Sequence, residues 1–141
     1  MISYIIILFL IVLFSRCAKM GSLTGGERDV DPPTVLQSNP ENYKRNFSGE
    51  RIVIEFDEFI VLDNVNQELV VSPPLEEKPD VRLRGKNMII EVNNELKPNT
   101  TYTFNFGEAI TDNNEGNVLR NYEFVFSTGD YLDSLSIEGK L

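Results

Sequence analysis

The feature that most constrains this chain is strict alternation. In Arg51-Ile52-Val53-Ile54-Glu55-Phe56-Asp57, Ile52, Ile54 and Phe56 fall on one side of an extended backbone, while Arg51, Glu55 and Asp57 fall on the other. Residues 101–106 repeat the pattern, with Tyr102, Phe104 and Phe106 against Thr101, Thr103 and Asn105. Residues 121–127 do so again, with Tyr122, Phe124 and Phe126 inward, and Glu123 and Val125 outward. Weaker segments of the same kind lie at 34–38, 68–72, 80–84 and 87–92, separated by turn residues. No stretch keeps a helical period over three turns, so helix is confined to a short turn within 59–67. A single sheet would leave these apolar faces wet. The pattern therefore predicts an all-β sandwich of about seven antiparallel strands in two sheets packed face to face.

Charge and composition narrow the function. Among 141 residues, Asp and Glu outnumber Lys and Arg by 22 to 13, a formal net charge of −9. That balance supplies no positive field for a phosphate backbone, so no nucleic-acid partner is expected. Arg82, Arg84 and Lys86 are spaced like the solvent face of a strand. There is no histidine and only one cysteine, Cys17, which excludes His- or Cys-cluster zinc sites, His-based triads and intrachain disulfides. No cofactor is expected.

Residues 5–14 are all apolar, too few for a membrane span of ~20 residues and the right length for the core of a signal peptide. Ser15, Arg16 and Cys17 follow, and then a polar, Gly-containing stretch. This segment resembles a bacterial lipoprotein signal. The resemblance implies that residues 1–16 are removed and that Cys17 becomes the lipidated first residue. Arg16 stands where that family has a small residue, and the leader lacks the usual basic start. An uncleaved signal anchor and a buried or reactive thiol are the alternatives. Ala18 after the cysteine, by the same resemblance, implies sorting to the outer membrane of the cell envelope, with the face it occupies left open. Residues 17–33 then read as a tether carrying Gly21, Gly25, Gly26, Pro32 and Pro33.

Within the strand-rich part, Leu96, Pro98 and Tyr102 form the pattern of a tyrosine corner. There a phenol entering a strand bonds back to upstream backbone and pins a crossover between sheets. Asn39-Pro40-Glu41-Asn42, Ile54–Glu58, Leu96–Tyr102, the set Gly107, Ile110, Asp112, Gly116 and Asn117, and Phe124–Thr128 occur in that order. Together they are similar to the bacterial Ig-like domain of surface proteins and lipoproteins, over residues 32–129. The resemblance implies an immunoglobulin-like β-sandwich used for display, spacing or adhesion.

Other motifs carry less. The loop Asp112-Asn113-Asn114-Glu115-Gly116-Asn117 offers oxygen donors, but its glycine comes one residue early for an EF-hand, so it reads as a turn and no metal is expected. Asp57, Glu58 and Asp63 read as a solvated loop rather than the carboxylate pair of a glycosidase. Asp133-Ser134-Leu135 resembles a short O-glycosylation motif of some Gram-negative bacteria. Residues 34–129 make the sandwich, and residues 130–141 read as the first strand of a further β-domain or as a disordered or strand-adding tail. The sequence thus points to a non-enzymatic module partnered with a membrane through a lipid on Cys17. Its ligand, protein or glycan, is unspecified. The alternative is a glycan-binding or glycan-processing accessory domain of a larger surface lipoprotein.

Overall fold

In the computed structural model, which describes residues 26 and 28–133, the alternating segments are strands. In chain order these are β1 (Val35–Asn39), β2 (Arg51–Phe56), β3 (Ile60–Leu62), β4 (Val70–Ser72), β5 (Asp80–Arg84) and β6 (Asn87–Glu91), then β7 (Thr101–Asn105), β8 (Ile110–Asp112), β9 (Val118–Leu119) and β10 (Glu123–Ser127). One short helix, α1 (Val65–Glu68), precedes β4. It falls in and just beyond the stretch where a short turn was expected, and it delays the strand predicted from residue 68 until Val70.

One sheet has the order β1-β2-β6-β5 and the second β10-β7-β4. All pairs are antiparallel. The β5–β6 hairpin closes through Gly85 and Lys86, and Gly85 has φ 63°, the left-handed geometry that its first turn position requires. Ile52, Ile54 and Phe56 of β2, with Met88 and Ile90 of β6, are buried from the first sheet. Tyr102, Phe104, Phe124 and Phe126 meet them from the second. The register places Phe126 beside Tyr102 and Phe124 beside Phe104. The Phe126 ring lies 4.6 Å from Phe47, 5.5 Å from Tyr102 and 5.8 Å from Phe104. It is the hub of the aromatic core. This is the sandwich the alternation predicts.

Three short strands add to the seven expected. β3, β8 and β9 form a third sheet at one end of the sandwich, in the order β3-β8-β9. Their two or three residues each are too short to display an alternation.

Two side chains depart from the alternation. Val125 was expected to face solvent, yet it is only 8% exposed. The chain between residues 42 and 47 runs along the outer edge of β10 and covers it. Tyr43 N–H donates to the Val125 carbonyl at 2.7 Å, Asn42 Oδ1 accepts the Val125 N–H at 2.7 Å, and Lys44 bridges in parallel to Phe126. Tyr122, expected inward, is only partly buried. It packs at the core's margin, 6.1 Å from Phe106 and 6.5 Å from Phe56. Burial first, and then the neighbouring Tyr43, push its phenol up to about 12.

Candidate functional site at the two ends of the sandwich

The strand directions define two ends. Phe56, where β2 finishes, lies against Tyr122, just before β10 begins. Phe47, shortly before β2, lies against Phe126, near where β10 finishes. The chain arrives at the first end and leaves at the second, and it is fastened at both.

At the arriving end, Thr34 is bound to Asp57. The Thr34 N–H and Oγ1 donate to the two carboxylate oxygens at 2.8 and 2.6 Å, and Asp57 N–H donates to the Thr34 carbonyl at 3.1 Å. The Thr34 hydroxyl, followed by its N–H, holds the Asp57 carboxyl below the usual carboxylate range. Further out, Asn117 Nδ2 donates to the Asp29 carbonyl at 3.2 Å and Arg28 to the Glu115 carbonyl at 3.4 Å.

Asp112 organises the loop those residues grip. Its side chain is buried, with 2% of the residue exposed. Oδ1 accepts the N–H groups of Asn114, Glu115 and Gly116 at 2.8, 2.6 and 3.0 Å, and Oδ2 accepts that of Asn117 at 2.7 Å. A carboxylate offers about four acceptor sites, and four are taken. Burial raises the Asp112 carboxyl, but these donors outweigh it and hold the group down to about 2. The loop is built around its own carboxylate. Among the described residues, no group of three or more His, Cys, Asp or Glu side chains is gathered for a metal.

Glu58 is the odd carboxylate here. Burial, then repulsion from Asp112, Asp57, Asp29 and Glu115, raises its pKa. The nearby Asp63 is instead fixed through its backbone, its N–H donating to the Ala109 carbonyl at 2.8 Å. Asp57 is thus committed to Thr34.

At the leaving end, Asn46 N–H donates to the Gly129 carbonyl at 2.8 Å, and Arg45 reaches the Asp130 carbonyl at 3.4 Å. The Tyr131 hydroxyl donates to the Asn99 carbonyl at 3.0 Å, and Asp133 N–H to Thr101 Oγ1 at 2.9 Å. Gly129 fits because it has no side chain, since a Cβ there would lie 2.9 Å from Asn99 Cα. Tyr102 is buried, and its phenol oxygen accepts the Lys97 N–H at 3.0 Å. Leu96 packs against the core, while Pro98 is exposed. Thr128 Oγ1 donates to the Lys97 carbonyl at 2.7 Å and accepts the Thr100 N–H at 2.9 Å, so residue 97 is held from both sides.

On the outer face of the first sheet, Glu91 accepts from Arg51 at 2.8 Å and from Arg82 at 2.6 Å, and Arg82 also reaches Asp80 at 3.1 Å. The Arg82 contact, and then Arg51, hold the Glu91 carboxyl down to about 2. Cys17 lies outside the described residues, as do Ser134 and the rest of the tail.

Sequence reasoning missed the partners of Thr34 and the role of Asp112. Aspartate followed four residues later by glycine is the one local signal that could have marked the Asp112 loop.

The profile of the family described as bacterial Ig-like domain matches residues 29–128, the stretch that runs from the arriving fastening to the leaving one. The chain belongs to that family. Comparison with curated proteins finds no match. Ig-like domains of this family are generally non-catalytic and occur in bacterial surface proteins. Among the described residues of this Ig-like domain, no helix is long and apolar enough to cross a membrane.

Proposed function

We propose that this Ig-like domain is a non-catalytic stand-off module of a bacterial envelope protein, anchored in the outer membrane by lipid on Cys17. The observation that supports spacing is the placement of the arriving and leaving segments at opposite ends, each hydrogen-bonded to the body. β2 alone spans ~16 Å from Arg51 to Phe56, five steps of ~3.3 Å, so the fastenings at Thr34 and at Gly129 are set apart by about the length of a strand. Fastened ends pass that displacement on, whereas loose ends would average it away. In this reading Leu96, Pro98 and Tyr102 act as a tyrosine corner that stiffens the leaving end.

Metabolic labelling with an alkyne-tagged fatty acid tests the anchor. Label is expected on the wild-type chain and absent from Cys17→Ala, and label retained by Cys17→Ala would refute the assignment. Spin labels at Val30 and Asp130 in the Cys17→Ala background test the spacing. A narrow distribution centred above ~16 Å is expected. A broad one, or one centred well below that distance, would defeat the stand-off reading.

A further inference from the structure

A cavity of about 180 Å³ opens between α1, β4 and the loop leading to β5. The apolar part of its wall is Val65, Leu69, Val71, Pro74, Leu75 and Pro79. Val65, Leu69, Val71 and Leu75 are only partly buried although all pack against the core, so their exposed sides converge on this opening. A dry apolar cavity of ~150 Å³ holds a benzene molecule. This one therefore has room for one branched aliphatic or one aromatic side chain, and not for a drug-sized ligand, which needs ~300 Å³ or more.

The socket is preformed. Asn94 clamps the loop reciprocally, its Oδ1 accepting the Glu77 N–H and its Nδ2 donating to the Glu77 carbonyl, both at 2.9 Å. Lys78 Nζ donates to the Asn66 carbonyl at 2.6 Å, tying the loop to α1. Asn66, Glu77 and Lys78 are the polar members of the lining.

A second observation says how an apolar side chain would be delivered. β4 is the terminal strand of its sheet and, among the described residues, is paired only to β7. Val70 on β4 is 61% exposed, while the next residue, Val71, forms part of the socket wall. A chain lying extended beside β4 gains main-chain hydrogen bonds, and every second side chain turns toward the sandwich interior.

From these two features we infer that the domain docks an extended segment of a partner polypeptide along β4, with one leucine- or phenylalanine-sized side chain seated in the socket. This is independent of the lipid anchor, because nothing in the socket involves Cys17. It would give a spacer a specific protein contact.

The test is an NMR titration of the whole chain carrying Cys17→Ala. The probes are N-acetyl-leucinamide, N-acetyl-glycinamide and a blocked six-residue peptide alternating threonine and leucine. The leucine compounds should shift the amides of Val65, Leu69, Val71 and Leu75 saturably, and the glycine compound should not. The peptide should bind at least ~10-fold more tightly than the single residue, because it adds the strand pairing. Val65→Phe, which fills the socket from α1, should abolish the shifts while its remaining spectrum stays folded. Leu75→Trp provides the same blockade from the loop should Val65→Phe unfold. Absence of saturable shifts, or shifts unaffected by both fillers, would overturn the socket. A peptide no tighter than N-acetyl-leucinamide would overturn the polypeptide partner, leaving a small-molecule cavity.

Discussion

Replacing Tyr102 by phenylalanine isolates the pin at the leaving end. The ring stays, stacked 5.5 Å from Phe126, and only the oxygen that accepts the Lys97 N–H is lost. A protein hydrogen bond is worth ~0.5–1.5 kcal/mol net, and Lys97 is exposed, so water can solvate the freed N–H. The expected cost is therefore about 1 kcal/mol, or ~4–8 °C in Tm for a domain of this size. Tyr102→Ala, which also empties a core position, should cost ~3–5 kcal/mol. Thr128→Val removes the hydroxyl that binds the other side of residue 97, together with its bond from Thr100, for about 1–2 kcal/mol. Because Tyr102 and Thr128 hold one residue, their effects should not add. The double variant should show a coupling of at least ~0.5 kcal/mol. Urea unfolding followed by far-ultraviolet circular dichroism, with unchanged m-values, measures all four states. Tyr102→Phe within ~0.3 kcal/mol of wild type, or strict additivity with Thr128→Val, would show that the phenol does not restrain the crossover.

Acid should loosen the Asp112 loop. The Asp112 carboxyl is held at about 2, below its unfolded value, so its contribution is complete above pH ~4 and disappears as pH falls through ~2. Asp112→Asn should lower Tm at pH 7 and flatten the Tm profile between pH 4 and 2. Glu58 has the opposite sign. Its raised pKa makes the charged form a liability in the folded state above its unfolded value near 4.3, so Glu58→Gln should raise Tm by a few degrees at most at pH 7 and by nothing below pH ~4. Gly129→Ala should destabilise by about 1–3 kcal/mol, because its methyl meets the Asn99 backbone at 2.9 Å, and differential scanning calorimetry will read it.

What the sequence made legible depended on repetition. Ile52, Ile54 and Phe56, or Phe104 and Phe106, announce their faces because several turns of the same two-residue period agree. The strands β3, β8 and β9 have no room to repeat anything, and their pairing comes from tertiary contact. Val125 was misread because its cover comes from residues 42–47, more than seventy positions earlier in the chain, and no local pattern reports that. The same limit hid the Thr34–Asp57 fastening. The Tyr102 geometry was more accessible because its partner, Lys97, is five residues away. The socket was invisible because its walls come from α1, β4 and a loop, with no motif among them.

The four margins of the two main sheets are unequal, and that has a consequence for molecules packed densely on one surface. β10 is sealed by residues 42–47, β1 is broken by a bulge between Val35 and Gln37, and β5 carries Arg82 and Arg84. Bulges and like charges discourage two neighbours from zipping together. β4 has neither device. A crowded layer of these domains would thus resist fusing laterally along three borders, and any strand-to-strand recognition would be channelled to the fourth.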